Sequence, residues 1–214
     1  MKRQALAAFA LVLATACAQA TPYVFEARHS QGVMRWNHLG FANPSATFSQ
    51  IDGMLDWNAA DPALSSVKAT IPMSAFTTGV PDLDEDFRSP TFFDFAKYPV
   101  ATFASTHIAK LAGDHYSVTG NLTIRNVTQP VTLDAVINKV GTNPRNQLPS
   151  VGFDATGVLK RSAFGLGQFV PQVSDEIRIA LTVEAVDAAE SDKHDKAEAA
   201  EEAAKKAAPA AAKH

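Results

Sequence analysis

"HYSVTGNLTIRN", residues 115–126, decides the fold. Tyr116, Val118, Leu122 and Ile124 alternate with Ser117, Thr119, Asn121 and Thr123. That is the two-residue period of a strand with one dry and one wet face. The same period recurs downstream. "VTLDAVI" alternates through Val131, Leu133, Ala135 and Ile137, and "VGFDATGVL" through Val151, Phe153, Ala155, Gly157 and Leu159. "EIRIALTVEAV" places Ile177, Ile179, Leu181 and Val183 on one side. Upstream, residues 22–27, 32–38, 46–57, 64–71 and 100–110 read as further strands. "AGD" at 112–114, "NVTQP" at 126–130 and "GTNPRNQLP" at 141–149 read as the turns and loop between strands. No ten-residue helical pattern separates the strands, so βαβ units are not expected and the class is all-β. The choice lies between a sandwich and a closed barrel. Gly53, Gly120 and Gly157 fall inside strand patterns, where glycine marks a bend or a close approach. Those bends and the length of the strands favour the barrel.

The two ends of the chain separate from this domain. Residues 1–20 combine a basic start, Lys2 and Arg3, with the apolar run "ALAAFALVLATA" and the small-x-small site Ala18-Gln19-Ala20. This is the pattern of a cleavable signal peptide, with Thr21 as the expected mature start and the periplasm as the expected destination. The large aliphatic residue that precedes a lipid-modified cysteine is missing before Cys17. Cleavage after Ala20 would leave no cysteine, and would take the formal charge from −3 to −5. Disulfides and thiolate chemistry are then not expected, and the mildly acidic balance argues against nucleic acid as a partner. From residue 188 to 214 the chain is rich in Ala, Glu and Lys with no aromatic, which reads as a disordered, solvated tail whose Ala-rich stretch is at most transiently helical before Pro209. The domain is therefore 21–187.

Motifs for catalysis or nucleotide binding are absent from the sequence. The four histidines of the domain, His29, His38, His107 and His115, match no metal-ligand spacing, so neither a metal site nor catalytic residues are expected. Asp84, Asp86 and Asp94 lie in or near "PDLDEDF", which reads as a short surface helix with solvated or capping charges. Arg161 is open to two readings: an anionic headgroup or a carboxylate partner. His38 ends a face shared with Met34 and Trp36; it reads either as a hydrogen-bonded core residue or as a polar contact at one end of an apolar cavity. The excess lies in aromatics. "FRSPTFFDFAKYP", residues 87–99, crowds Phe87, Phe92, Phe93 and Phe95 into a segment with neither period. Such a loop is where a lid over a barrel mouth would sit, although it could equally plug the barrel end.

The ordered set "HSQGVMRWNHLGF", "FFDFAKYPVATFASTHI", "YSVTGNLTIRNVTQPVTL" and "LKRSAFGLGQFVPQVSDEIRIALTVEA" resembles the YceI family of bacterial secreted proteins. His29-Ser30, His38-Leu39-Gly40, Phe92-Phe93-Asp94, Arg161, Phe164-Gly165 and Val173-Ser174-Asp175-Glu176 are the matching positions. The resemblance implies a lipocalin-like antiparallel β-barrel of about eight strands. It implies a polyisoprenoid or related long-chain amphiphile, such as an isoprenoid quinone, bound inside the barrel, often in a homodimer and without catalytic residues. Three positions depart from the family: Asn126 stands where glycine is usual, the spacing before Phe92 differs, and Trp36 is large for its place.

The residues expected to meet a ligand are Met34, Trp36, His38, Phe41 and Phe48 from the first strands, with Phe92 and Phe93 from the aromatic loop. Phe103, Val118, Leu122, Phe153, Arg161 and Phe164 complete the set. No cofactor is expected beyond an isoprenoid or fatty-chain lipid, carried or stored outside the cytoplasm. A membrane that gives or takes that lipid, and a second copy of the chain, are the other expected partners. Two alternatives stay open at this level: a redox, haem- or quinone-linked enzyme using His29, His38 or His107, and a ligand-free stress-response or interaction module with a filled barrel.

Overall fold

The computed structural model describes residues 19–207; residues 1–18, within the expected signal peptide, and 208–214 lie outside the described residues. Eleven antiparallel strands follow in chain order: β1 (Thr21–Phe25), β2 (Gln31–Arg35), β3 (Ser45–Phe48), β4 (Asp52–Trp57), β5 (Ser66–Pro72), β6 (Phe76–Thr77), β7 (Val100–Lys110), β8 (His115–Ile124), β9 (Val127–Thr142), β10 (Pro149–Lys160) and β11 (Glu176–Asp187). Helix α1 (Pro81–Arg88) lies between β6 and β7, and α2 (Ala188–Ala207) follows β11. The order β1-β4-β5-β7-β8-β9-β10-β11 returns to β1, which closes a ring of eight strands.

The eleven segments make eight staves because three staves are broken. β1 and β2 run one after the other along β11, interrupted by a short 3-10 turn at Ala27–His29. β4 and β3 follow β1 and β2 in the same way, and β5 and β6 follow those. At one end the ring is complete, since β5 pairs with β7 from Lys68↔Ala104 to Pro72↔Val100. At the other end β6 is paired only to β3. The chain between Thr78 and Pro99, which contains α1 and the aromatic loop, occupies the place where β6 would have met β7. The sequence reading of 46–57 as one strand is thus corrected by a break at Ser49–Ile51.

Alternation places the expected residues inside. On β8, Tyr116, Val118, Leu122 and Ile124 face the interior, while the Thr119 and Thr132 hydroxyls meet at 3.0 Å on the outer wall. Gly120 is where the wall curves: a β-carbon there would stand 2.4 Å from the Phe103 ring, and a bulge shifts the β7–β8 register between Ser105 and His107. Glycine plus bulge is how a long stave turns a corner.

Two further expectations are corrected. "NVTQP" is not a turn: the reversal takes only Arg125 and Asn126, and β9 runs on through Pro130, which pairs with Asn121. The left-handed residue is Arg125 (φ 58°), not Asn126. The segment after β11 is helical as far as Ala207 rather than structureless. Ala, Glu and Lys are strong helix formers. Asp187 caps the first turn, its Oδ1 accepting from the N–H groups of Ala189 and Glu190 at 3.0 Å.

Candidate functional site

The barrel is hollow. A cavity of about 570 Å³ occupies its interior, within the range of sites that hold small molecules or single lipid chains. Its wall is apolar except at the rim, where His38, Asp86, Arg161 and Gln168 reach it. The floor, at the complete end of the ring, is the edge-to-face pair of Trp57 and Tyr116, ring centroids 5.3 Å apart. Above it come inward aliphatics of β8 to β11. Met34, Val118, Ile137 and Phe153 point inward yet are only half-buried, since they face open space. A barrel packed solid with its own side chains would have buried them fully.

Helix α1 and the aromatic loop cover the other end. Phe87 is buried and central: it meets Trp36 at 5.6 Å, Phe76 at 5.7 Å, Phe92 at 5.3 Å and Phe93 at 5.8 Å. Phe92, Phe93 and Phe95 are half-buried, with the first two on the cavity wall. α1 is tied to β6 through Asp84, which is buried and not the solvated charge its acidic surroundings suggest. Hydrogen bonds from the Thr77 and Thr78 hydroxyls and the Thr78 N–H, each 2.6 Å, hold its carboxyl below the usual carboxylate range, with Arg88 adding at 3.8 Å.

Arg161 takes neither of the roles considered for it. Its guanidinium donates to three backbone carbonyls, those of Ser174 at 2.9 Å, Val173 at 2.9 Å and Leu166. Burial lowers its pKa, with the Asp175 carboxylate acting in the opposite sense. Its donors are committed to the 165–175 loop, which it holds across the rim. The planar fork of arginine suits such a strut. Phe164, beside it, is 2% exposed and packs with Leu122 and Leu166.

All the expected ligand-contacting residues except Phe41 line this cavity. Phe48 lies over Gly32, where a β-carbon would come within 2.3 Å of its ring. Phe103 lies over Gly120, and Phe153 meets Phe25 at 6.0 Å. Trp36 is buried against Phe87 in the cap. His38 stands exposed at the rim, a polar edge of the cavity rather than a core residue. Phe41 is corrected: it is 94% exposed and outside the cavity. The chain leaves the strand after Arg35 and turns through Leu39 and Gly40, both at positive φ, which carries Phe41 away from the wall. Gln168 and Phe169 of the 165–175 loop also reach the cavity. Periodicity could not find them; an aromatic inside "GLGQFVPQV" was the available signal. His29, at the β1–β2 break, contacts Glu26 at 2.6 Å, and His107 is exposed on β7, so the structure does not bring them together with His38.

Comparison with known proteins agrees with this architecture. Residues 23–185 match the YceI-like domain model. Protein YceI of Salmonella arizonae is 34% identical over 178 residues, covering 82% of this chain and 92% of that protein. The crystal structure of Burkholderia cenocepacia BcnA superposes with a TM-score of 0.65 at 26% identity, over 72% of this chain and 95% of that one. A polyisoprenoid binding domain from Saccharophagus degradans shares the fold alone, with a TM-score of 0.61 at 13% identity over 77% of this chain and 98% of that one. A closed antiparallel eight-stranded barrel, a matching domain model over nearly the whole barrel and curated relatives above 30% identity lead to one statement: this chain belongs to the YceI-like domain family.

Proposed function

We propose that the protein binds a polyisoprenoid or other long-chain amphiphile inside the barrel, as a non-catalytic carrier or store in the periplasm. The observation that carries this reading is the hollow apolar interior, floored by Trp57 and Tyr116 and capped by the Phe87 cluster. Such a cavity takes a chain rather than a charged solute. Burial contributes about 0.8 kcal/mol per methylene. About ten buried carbons therefore supply roughly 8 kcal/mol before the costs of ordering. Polar groups reach the cavity at the rim, at His38, Asp86 and Gln168, which fits a ligand whose polar end stays near the mouth. The polyisoprenoid-binding description of the Saccharophagus domain is consistent with a chain of this kind.

The test is native mass spectrometry and organic extraction of protein produced in an exporting cell, followed by titration of lipid-stripped protein with a prenyl quinone. A co-purifying long-chain lipid and saturable uptake are expected. Protein that carries no lipid and takes up no quinone ends this reading. A Soret band in the fresh protein, lost in His38→Ala, would put the haem alternative in its place.

A further inference from the structure

Two apolar tips stand on the rim uncovered by any described part of the chain. Phe41 is 94% exposed and Phe169 65% exposed. Their loops are joined at the base: the Leu39 N–H donates to the Gln172 carbonyl at 3.0 Å, and His38 bridges Val173. The Phe41 turn is braced. Its N–H donates to the His38 carbonyl at 3.0 Å, and the Gly40 N–H donates to Asn37 Oδ1 at 2.8 Å. Phe169 also lines the cavity, so one ring belongs both to the cavity wall and to the outer surface. Leu39 and Val170 of the same two loops are exposed as well, and clustered exposed apolar surface, unlike a single ring, marks a contact site.

A second feature lies on the outer wall beneath these loops. Arg35, at the end of β2, faces Arg178 of β11 in direct register. Met34 and Ile179 next to them point inward, so both guanidiniums point out, and both residues are exposed. Neither forms an ion pair among the described residues. Lys160 follows on the same wall, opposite Glu176. Like charges facing one another across two strands are destabilising in an isolated domain. They are compensated when an anionic surface covers them.

We propose that this rim docks on an anionic phospholipid bilayer, with Phe41 and Phe169 entering the interface and Arg35 and Arg178 meeting phosphate headgroups. The proposal rests on the reading that the cavity carries a lipid, which then passes between membrane and barrel beside Phe169 without crossing bulk water. A second copy of the chain fits less well. The two rings offer roughly 300 Å² of apolar surface, against about 800 Å² per partner in a stable dimer. A small apolar cluster on projecting loops beside basic residues suits a fluid, negatively charged surface.

Flotation of the purified protein with phosphatidylcholine vesicles, with and without about a quarter of phosphatidylglycerol, tests this. Binding to the anionic vesicles is expected. Phe41→Ser should lower it roughly tenfold, and Arg35→Gln with Arg178→Gln several-fold on anionic vesicles alone. Phe41 lies outside the cavity, so Phe41→Ser should take up a prenyl quinone from detergent solution like the wild type. The proposal fails if Phe41→Ser floats like the wild type, or if the wild type floats with neither vesicle. It also fails if Phe41→Ser turns a dimer into a monomer on a sizing column, which would give the rim to a second copy. Quinone uptake without flotation removes the docking surface alone. Flotation without quinone uptake removes the ligand reading and leaves the docking surface standing.

Discussion

Thr77 donates its hydroxyl to Asp84 at 2.6 Å, which locks helix α1, over the mouth of the barrel, onto the broken stave that ends in β6. The bond ties pH to the anchoring of this helix. Asp84 has its pKa lowered, first by the Thr77 and Thr78 hydrogen bonds. A carboxylate whose folded pKa lies below its unfolded value contributes stability that is complete above the unfolded pKa and is lost as the pH falls through the folded one. With the unfolded value near 3.9, this contribution holds at neutral pH and disappears only below about pH 4. Asp84→Asn should cost about 1–3 kcal/mol at pH 7. Urea titrations from pH 7 to pH 2 should show that gap closing in acid. A gap that stays constant with pH would mean that charge at Asp84 does not hold the helix.

The hollow interior predicts an unusual tolerance. Val118 points inward from β8 and is half-buried, since it borders the cavity. In a filled core, Val118→Trp would overpack and cost about 1–3 kcal/mol. Here the indole has space to enter. The lipid-stripped variant should melt within about 2 °C of the wild type, no more than the shift a 1 kcal/mol loss gives in a domain of this size. Uptake of a prenyl quinone should fall at least tenfold. A large drop in melting temperature would show that the space is not available to a side chain.

The sequence showed some of these features and hid others, for physical reasons. The inward residues of β8 to β11 were legible because a two-residue period repeats over long uninterrupted strands. The Ser49–Ile51 break was marked only by a change of phase, from Ala46 and Phe48 to Ile51, Leu55 and Trp57, which is easily lost when both halves alternate. Asp84 read as a surface acid because its partners, Thr77 and Thr78, precede the helix and look like ordinary turn residues. Phe41 was misplaced because the strand ends at Arg35 and the chain then turns away through Leu39 and Gly40, which an aromatic three residues past His38 does not reveal. Arg161 was ambiguous because backbone carbonyls, its actual partners, leave no mark in a sequence.

The helix after β11 should be separable from the barrel. It is anchored at its first turn by Asp187, and Glu190 pairs with Lys193 at 2.7 Å on the surface. Residues 195–203 are exposed. Removing residues 195–214 should leave the melting temperature within about 2 °C, because surface changes of this kind sit within about 0.5 kcal/mol. Asp187→Ala should instead lower helicity by circular dichroism at a cost of about 1 kcal/mol to the helix. A truncation that lowers lipid uptake would show that this helix takes part in binding.

The aromatic loop offers the clearest separation of lid from plug. Phe87 is 9% exposed and touches Trp36, Phe76, Phe92 and Phe93, so Phe87→Ala should cost about 3–5 kcal/mol, like a core phenylalanine. Phe92 and Phe93 are half-buried, with one side on the cavity. Replacing both with Ser removes less packing, because open space already borders their inner side. The double variant should therefore keep most of its stability when stripped of lipid, yet release a fluorescent prenyl or acyl chain at least tenfold faster. Stability must be measured without lipid, since bound ligand raises it by mass action. If Phe92→Ser/Phe93→Ser collapses like Phe87→Ala while its surviving folded fraction releases lipid at the wild-type rate, the loop is a plug. The retention assigned to it would then belong to the remaining cap around Trp36 and Phe87.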